Sequence, residues 1–149
     1  MAGTVLIRPV EEDEREAWNP LWADYLAFYK TAMAQVVSDQ TWTRFHDLDE
    51  PVFALGGYVD GQLAGFAHYL FHRSTWATHR YCYLEDLFVA ETARGRGLGR
   101  ELIEAVYDKA RAASASRVYW LTQSDNAQAR ALYDGVADNL GFIQYRKVL

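Results

Sequence analysis

Alternating hydrophobic and polar residues open the chain and are followed by a stretch with helical spacing. Residues 4–10 alternate and contain β-branched residues, so they predict a strand that ends near Pro9. Asn19 followed by Pro20 is typical of a helix start, because asparagine caps the first turn and proline at the first helical position gives up no needed N–H. We therefore expect a helix from Pro20 to about Val37.

The pattern then changes to the period of two that is typical of strands. After a short second helix capped by Thr41, the alternation runs over residues 52–59 and 62–72. The two segments are joined by Asp60 and Gly61, a dipeptide that favours a type I′ turn because that turn needs positive φ. This part of the chain predicts a β-hairpin.

In the second half of the chain, strand patterns alternate with amphipathic helical patterns. We expect a strand, a glycine-rich turn, a helix, a strand, a helix and a final strand over residues 81–89, 92–100, 98–113, 117–122, 126–136 and 142–148. The complete order predicts an α/β (α+β) fold with a mixed sheet and helices on both faces. The strand–helix–strand unit over residues 81–122 predicts a right-handed parallel crossover.

Length and composition narrow the possible classes of protein. With 149 residues, of which 50% are hydrophobic and 23% charged, the chain predicts one globular domain spanning residues 1–149. A formal net charge of −5 argues against a generic nucleic-acid or membrane-surface binder, because phosphate binding needs a net basic face. We expect neither kind of partner.

Signals for targeting, disulfides and metals are not found in the sequence. The first residues lack the basic start and apolar core of a secretory signal, and no run approaches the roughly 18 apolar residues of a membrane span, so we expect a cytoplasmic protein. The one cysteine, Cys82, lies in an apolar run and predicts a buried strand residue. The four histidines lack a clustered arrangement with carboxylates, so we expect no metal site.

The most distinctive local feature is the segment from Arg94 to Arg100, RGRGLGR, between a predicted strand and a predicted helix. The first N–H groups of a helix have no internal partner, and the helix dipole adds about half a positive charge there. Glycines let the main chain approach a phosphate closely, and three arginines occur here in an otherwise acidic chain. The segment predicts a phosphate-binding turn. The alternative is a helix start with solvated arginines.

Two other glycine motifs do not fit this segment. A dinucleotide-binding turn has the pattern G-x-G-x-x-G, and counted from Gly95 its sixth position is Arg100. A P-loop ends in Gly-Lys followed by Ser or Thr, and no lysine occurs in the turn. Both nucleotide-binding motifs are therefore excluded.

Three motifs, in the correct order and spacing, resemble the GNAT superfamily of N-acetyltransferases. Arg94, Gly97 and Gly99 resemble its R-x-x-G-x-G motif for the pyrophosphate of acetyl-CoA. The preceding YLEDLFV resembles the family's fourth strand, and the segment from Asn126 to Tyr133 resembles its N-x-x-A-x-x-x-Y helix. The resemblance implies the GNAT fold, in which a mixed, mostly antiparallel sheet is splayed at the fourth strand.

Within the superfamily, features of two branches are present. Residues 117–133, the C-terminal GFIQYRK and the aromatic run of the first helix are similar to the yeast histone and amino-acid acetyltransferase branch and its bacterial relatives. Residues 83–86 resemble the diamine acetyltransferases. The resemblance implies direct transfer of an acetyl group from acetyl-CoA to a primary amine of a small molecule, such as a polyamine or an amino acid, with coenzyme A as product. Two alternatives remain: acetylation of lysines in protein tails, or a non-catalytic acyl-CoA-binding module.

The resemblance also implies which residues hold the cofactor. Main-chain groups of the fourth strand pair with the pantetheine arm, and an N–H at its bulge points at the thioester oxygen. Asn126 contacts the same arm, unless it is only a helix N-cap. The residues expected to bind the cofactor are Leu87, Phe88, Val89, Arg94, Gly95, Arg96, Gly97, Leu98, Gly99, Arg100 and Asn126.

One tyrosine and two acids are the expected catalytic and substrate-binding groups. Tyr133 would be the general acid that protonates the departing thiolate, unless it is a core tyrosine. Glu85 would be the general base, through a water molecule, and Glu85 or Asp86 would also bind the substrate's ammonium group. Adjacent strand residues face opposite sides, so both acids reach one cleft only if a bulge turns one of them; otherwise they form a solvent-facing strand edge. His68 is an alternative base.

Two further expectations concern the acceptor pocket and the assembly. Most family members have two strands after the tyrosine helix, whereas residues 141–149 leave room for one, so we expect a homodimer that shares the final strand. Aromatic residues of the first helices should form part of the acceptor wall. The sequence does not separate pocket from core among Trp22, Tyr25, Phe28, Tyr29 and Trp42.

Overall fold

The computed structural model describes residues 3–149, which form five strands and four α-helices. The two hairpin strands and the fourth strand match the predicted bounds to the residue, and the third helix begins at Leu98 as predicted. In chain order the elements are β1 (Val5–Pro9), α1 (Arg15–Phe28), α2 (Gln35–Phe45), β2 (Val52–Val59), β3 (Gln62–His72), β4 (Tyr81–Val89), α3 (Leu98–Ala112), β5 (Val118–Tyr119) and α4 (Ala127–Val136).

The strands form one mixed sheet in the order β1-β2-β3-β4-β5. Neighbouring strands are antiparallel except β4 and β5, which are parallel and connected through α3. Asp60 and Gly61 turn β2 into β3 with φ values of 52° and 81°, so the predicted hairpin turn is confirmed.

Helices cover both faces of the sheet, as predicted. The apolar stripe of α3 packs on one face, together with partly buried residues of α4. On the other face, α1 and α2 contribute the buried Trp18, Trp22 and Trp42. Cys82 of β4 is 0% exposed, and burial raises the pKa of its thiol to about 12, which confirms it as a buried strand residue.

The first helix begins earlier than the sequence pattern suggested. The predicted start at Asn19 and Pro20 is wrong, because α1 begins at Arg15 and contains both residues. A short 3-10 turn precedes it, in which the Glu14 carboxylate accepts a hydrogen bond from the Glu11 N–H at 2.9 Å. The polar contacts that start the helix are therefore supplied before Asn19 is reached.

The predicted long helix to Val37 is interrupted. α1 ends at Phe28, and Lys30 follows with φ of 53°, a left-handed conformation that ends helices. α2 then begins at Gln35, so Thr41 lies inside it and does not cap it. Among residues 3–149, no helix combines the length and hydropathy that crossing a membrane requires.

Two predicted strands are shortened or missing. β5 covers two residues instead of 117–122, because it diverges from β4 after two residue pairs and loses its ladder partner. The predicted strand over 142–148 is not formed, since residues 137–149 have no regular secondary structure and find no neighbouring strand to pair with.

Candidate active site

A β-bulge in β4 changes the position of the two consecutive acids. In the ladder between β3 and β4, His68 pairs with Asp86 and Tyr69 pairs with Leu84, so no residue of β3 stands opposite Glu85. A bulge adds one residue to one strand and turns the following side chains. The predicted bulge is therefore present, and it lies at Glu85.

The bulge also shifts the alternation of β4 by one residue. Before it, the even-numbered Cys82 and Leu84 belong to the core beside α3. After it, the odd-numbered Leu87 and Val89 pack against that core, while Phe88 packs on the opposite face beneath α1. Asp86 consequently faces the same side of the sheet as His68, its partner on β3.

A cleft opens where β4 and β5 separate. The two strands pair only at Cys82 with Val118 and at Tyr83 with Tyr119, next to the bulge. Residues of α1, β4, the end of β5 and α4 form its walls. They are Tyr25, Tyr29, Leu84, Glu85, Leu87, Trp120, Leu121 and Tyr133. Glu85 and Tyr133, predicted from separate motifs, thus line one cleft.

Glu85 combines access to solvent with a proton affinity above the ordinary value. It is an exposed residue, on the rim of the cleft. Surrounding protein and, second, the negative charge of Asp86 raise the pKa of its carboxyl. A carboxylate with a raised pKa accepts a proton more readily, and exposure lets water reach it. These are the properties of a general base that works through water.

Asp86 is more enclosed than Glu85, with 17% of its side chain exposed. Its Oδ2 lies 2.9 Å from Nδ1 of His68. Burial and then the Asp86 charge raise the pKa values of Tyr25 on α1 and of Tyr29, the residue that follows this helix, and both line the cleft. The negative charge of Asp86 is therefore felt inside the cleft, where it favours a cation.

Tyr133 reaches the cleft from α4. Its ring meets Trp120 edge-on, with ring centroids 5.4 Å apart. Burial, with a smaller contribution from Tyr29, raises the pKa of its phenol to about 12. The phenol consequently keeps its proton at neutral pH and is a hydrogen-bond donor. Tyr133 also packs against the α3 core, so the structural and functional interpretations are compatible.

After the bulge, main-chain groups of β4 face the cleft, and one of them is bonded to Arg94. The Ala90 N–H donates to β3 at 2.8 Å. Because alternate residues of a strand direct their main-chain groups to opposite neighbours, those of Phe88 also face β3, whereas those of Leu87 and Val89 face the gap beside β5. The Val89 carbonyl accepts a hydrogen bond from Arg94 Nε at 3.1 Å. Leu87 and Val89 can therefore offer main-chain groups to an extended ligand.

The glycine-rich turn before α3 has an open main chain. Gly95 and Gly97 have φ values of 80° and 76°, which favour glycine, and no atom lies within 4 Å of a Cβ built on either. In the described part of the chain, the N–H groups from Gly95 to Arg100 make no main-chain hydrogen bond outside regular elements, and α3 begins its bonding at the Glu101 N–H. Free N–H groups at a helix start are suited to an anion.

The side chains of the turn differ in their contacts. Arg100 Nη2 donates a long hydrogen bond of 3.4 Å to the Gly135 carbonyl on α4. Arg96 is exposed, and it forms no ion pair with any residue in the 3–149 range. A Cβ on Gly99 would lie 3.4 Å from Leu132, so α3 and α4 come close to each other at this glycine.

Asn126 occupies the N-cap of α4, where its side chain accepts a hydrogen bond from the Ala129 N–H at 3.4 Å. The N-cap alternative is thereby confirmed. A bond of this length is weak and leaves the amide nitrogen free. Contact between Asn126 and a cofactor stays a prediction.

The structure separates the aromatic residues of the cleft from those of the core. Tyr25 and Tyr29 line the cleft, Trp22 and Trp42 are buried, and Phe28 is exposed. Periodicity could not distinguish them, because Tyr25 and Tyr29 continue the apolar stripe that begins at Trp22.

Two residues lie elsewhere than the sequence predicted, and a third lies in its predicted strand with both ring nitrogens occupied. Trp120 and Leu121 were expected in a strand and instead line the cleft just after β5; an aromatic at the C-terminal end of a parallel strand was the available signal. His68 is 3% exposed, and its two ring nitrogens contact Trp18 and Asp86. It has no free lone pair for the role of alternative base.

Most of the chain is similar to known proteins of one family. Residues 7–136 match the family described as "Acetyltransferase (GNAT) family". The sequence is 38% identical over 148 residues to the D-amino-acid N-acetyltransferase HPA3 of Saccharomyces cerevisiae, covering 96% of this chain and 90% of the yeast protein. It is 31% identical over 108 residues to the thialysine N-epsilon-acetyltransferase of Mus musculus, covering 68% of this chain and 63% of the mouse protein.

Solved structures share the fold at low sequence identity. A ribosomal-protein-alanine N-acetyltransferase from Brucella melitensis superposes with a TM-score of 0.83 at 23% identity, covering 98% of this chain and 100% of that one. AAC(6')-Iy in complex with the bisubstrate analog CoA-S-monomethyl-acetylneamine superposes with a TM-score of 0.83 at 18% identity, covering 98% and 99%. At these identities the likeness concerns the fold.

Proposed function

The chain belongs to the GNAT family of acetyltransferases, and from this premise we propose that it transfers the acetyl group of acetyl-CoA to the primary amine of a small molecule. The observation that carries the proposal is the cleft between β4 and β5, which Glu85 and Tyr133 line together. A proton acceptor and a proton donor on one cleft are what acetyl transfer to an amine requires.

The residues present fit acetyl-CoA. When bound, it supplies a thioester acyl group and a sulfur leaving group. The free N–H groups from Gly95 to Arg100 are suited to its pyrophosphate, with the exposed Arg96 as an added positive charge. The free β4 edge at Leu87 and Val89 is suited to its amide-containing pantetheine arm. Leu87 also lines the cleft, so its N–H is our candidate donor to the acyl oxygen.

Each proton has a place to go in this arrangement. Glu85, through a water molecule, accepts a proton from the substrate's ammonium group and so frees the nitrogen lone pair. Tyr133 directs its phenol toward the departing sulfur, which takes up the proton that the nitrogen loses as the amide forms. The phenol relays this proton: it gives its own proton to the sulfur and takes up the one that the nitrogen loses, and with a pKa of about 12 it is protonated again at the end of the reaction.

Charge and relatives both support a small cationic acceptor. Glu85 lines the cleft between the aromatic walls of Tyr25 and Tyr29, and the charge of its neighbour Asp86 acts on both of these tyrosines. The names of the relatives above specify acetylation of D-amino acids and of thialysine, which are small amines. We propose an amino acid or a polyamine as the acceptor class. We also propose a cytoplasmic location, which is consistent with a lone, buried and unpaired Cys82.

The test is release of free thiol from acetyl-CoA in the presence of candidate acceptors. The panel contains polyamines, D- and L-amino acids, thialysine, aminoglycosides and lysine peptides from protein tails. We expect turnover with small amines and little with peptides. Turnover confined to peptides would replace the proposal by the protein-tail alternative, and binding of acetyl-CoA without turnover of any amine would favour the binding module.

Replacement of Gly97 by alanine tests the turn. Gly97→Ala places a Cβ at φ of 76° among the N–H groups of the turn, and we expect the KM for acetyl-CoA to rise about tenfold with a smaller change in kcat, as loss of a binding contact would cause. Gly61→Ala is the matched control, since Gly61 has φ of 81°, similarly open surroundings and a position in the β2–β3 hairpin. Both variants should lose roughly 1–2 kcal/mol of stability. An equal rise in the KM for acetyl-CoA in both variants would contradict the assignment of this turn to cofactor binding.

We further propose that the protein is a homodimer that shares its C-terminal segment. Residues 137–149 have no strand partner, and β5 has one neighbour in the sheet. Unpaired strand edges favour pairing with another chain. Large apolar side chains of the segment are exposed, namely Leu140, Phe142, Ile143, Tyr145, Val148 and Leu149.

Two charged substitutions test the homodimer. We expect light scattering to give the wild-type protein twice the chain mass of 17.0 kDa, and Phe142→Lys with Ile143→Lys to give a single chain mass, because lysines oppose burial in an interface. Trp76→Lys, which changes a residue that is 82% exposed elsewhere, is the control and should stay dimeric. A monomeric wild type or a dimeric double variant would rule the shared segment out.

A further inference from the structure

A buried chain of polar groups continues from Asp86 into the core beneath α1. His68 is 3% exposed, and its Nδ1 lies 2.9 Å from Oδ2 of Asp86. On the other side of the ring, Nε1 of Trp18 lies 3.0 Å from Nε2 of His68, and Trp18 is fully buried. Phe66 stacks on the imidazole with ring centroids 4.3 Å apart, which holds the ring in its plane.

The partners of the imidazole determine its tautomer. An indole N–H can donate a hydrogen bond and cannot accept one, so Nε2 of His68 must carry the lone pair. The proton is then on Nδ1, which donates to Asp86. Adding a second proton at Nε2 would set two N–H donors against each other. Trp18 thus holds His68 in its neutral Nδ1–H form.

A neutral His68 leaves the charge of Asp86 uncompensated. In the 3–149 range, no lysine or arginine forms an ion pair with Asp86. The ionisable groups that face the pair are Glu85 on β4, which is also acidic, and three phenols whose pKa values are raised by burial and, in part, by Asp86, so that they keep their protons. These phenols are Tyr25, Tyr29 and Tyr83. α2 presents Phe45 to the imidazole, and β2 presents Ala54.

We propose that Trp18 and His68 are positioning residues that hold Asp86 as a fixed, uncompensated anion for the ammonium group of the acceptor. His68 fixes the direction of the Asp86 carboxylate. Trp18 keeps His68 neutral, because a protonated His68 would compensate the negative charge of that carboxylate. The inference rests on the proposed function, because it assigns Asp86 to acceptor binding. It separates the two acids by role, with Glu85 taking the proton and Asp86 binding the charge.

The first experiment reads the tautomer directly. Long-range ¹H–¹⁵N spectra of the wild-type protein at the assay pH should show the Nδ1–H pattern for His68, whose signals are identified by their loss in His68→Gln. His72, whose Nδ1 lies 2.7 Å from the Arg73 carbonyl, should show the same pattern and keep it in that variant. Trp18→Phe removes the indole donor and keeps an aromatic ring, so the pattern should change to an Nε2–H or doubly protonated imidazole. Trp22→Phe should leave it unchanged, because the Trp22 indole is also buried but donates to Ser38 Oγ at 2.9 Å.

The second experiment separates recognition from packing. With the panel amine that turns over fastest, Trp18→Phe should raise the KM for the amine about tenfold and change kcat less than threefold, since the lost interaction is with the charge of the ground state. Asp86→Asn should raise the same KM at least as much, and Trp22→Phe should raise it little. The KM for acetyl-CoA should stay constant in all three variants.

The outcomes distinguish this inference from the proposed function. An Nε2–H or doubly protonated wild-type imidazole overturns the positioning role whatever the activity, and it needs no variant to fold. Equal increases in KM for Trp18→Phe and Trp22→Phe reduce Trp18 to a packing residue. If no amine is acetylated, the proposed function fails and acceptor binding by Asp86 fails with it, while the spectra still decide whether Trp18 fixes the tautomer.

Discussion

Tyr133→Phe is expected to lower kcat by about 10²–10⁴-fold, the range typical of losing a general acid, while the KM for acetyl-CoA stays within about twofold. The substitution removes one oxygen atom and keeps the ring that packs edge-on against Trp120. The cleft and the helix that carries residue 133 should therefore persist. The lost phenol can no longer donate to the departing sulfur, so the chemical step slows and binding does not.

Tyr107→Phe is the matched control for this prediction. Tyr107 lies on α3, its ring is also near Trp120, and its hydroxyl donates to the Val136 carbonyl at 2.8 Å. Loss of this hydrogen bond should lower the free energy of unfolding by about 1 kcal/mol and leave kcat nearly unchanged. If Tyr133→Phe retained wild-type kcat, or if both variants lost activity equally, Tyr133 would be a core residue without a catalytic role.

Glu85→Gln is expected to lower kcat/KM for the amine by about 10²–10⁴-fold and to remove the acid limb of its pH profile. The active form of Glu85 is the carboxylate, so activity falls as the pH decreases through its pKa. Because burial and the charge of Asp86 raise that pKa, the limb of the wild-type enzyme should lie above the ordinary value of 4.5. Glutamine keeps the shape of the side chain and cannot accept the proton.

Asp86→Asn provides a second readout of the same ionisation. It removes the negative charge that helps to raise the Glu85 pKa, so the acid limb should move to lower pH. Glu91→Gln is the control, since Glu91 is exposed in the 3-10 turn after β4, and its profile should match the wild type. A limb that persists in Glu85→Gln would assign the ionisation to another group.

Elements with local signals were predictable from the sequence. Asp60 and Gly61 defined the hairpin, since positive φ at both residues is a local property. The turn before Leu98 and the cap at Asn126 were local in the same sense: α3 begins at the predicted residue, and α4 begins one residue after Asn126, its N-cap.

Elements that depend on distant partners were not predictable. Pro20 has the local features of a first helical position, but a hydrogen bond between Glu11 and Glu14 starts the helix earlier. The segment 142–148 has the composition of a strand and lacks a neighbouring strand within the chain. A strand exists only where a second strand offers its main chain.

The residues of the candidate site also divide into those with a local signal in the sequence and those whose surroundings depend on distant parts of the chain. The motifs around Glu85, Gly97 and Tyr133 could be found because each has a characteristic spacing. Periodicity could not show that Tyr25 faces the cleft, or that His68 is enclosed with both nitrogens occupied, because these properties depend on how α1 lies across the sheet.

The bulge at Glu85 constrains the number of residues in β4 more strictly than it constrains their identity. Deleting one residue there would restore a continuous ladder with β3, and every later side chain of the strand would exchange faces. Leu87 and Val89 would leave the core beside α3, and Phe88 would be forced into it. A substitution at position 85 leaves every later side chain of β4 on its own face, whereas the loss or gain of one codon there would refold the strand's contacts with both layers of helices.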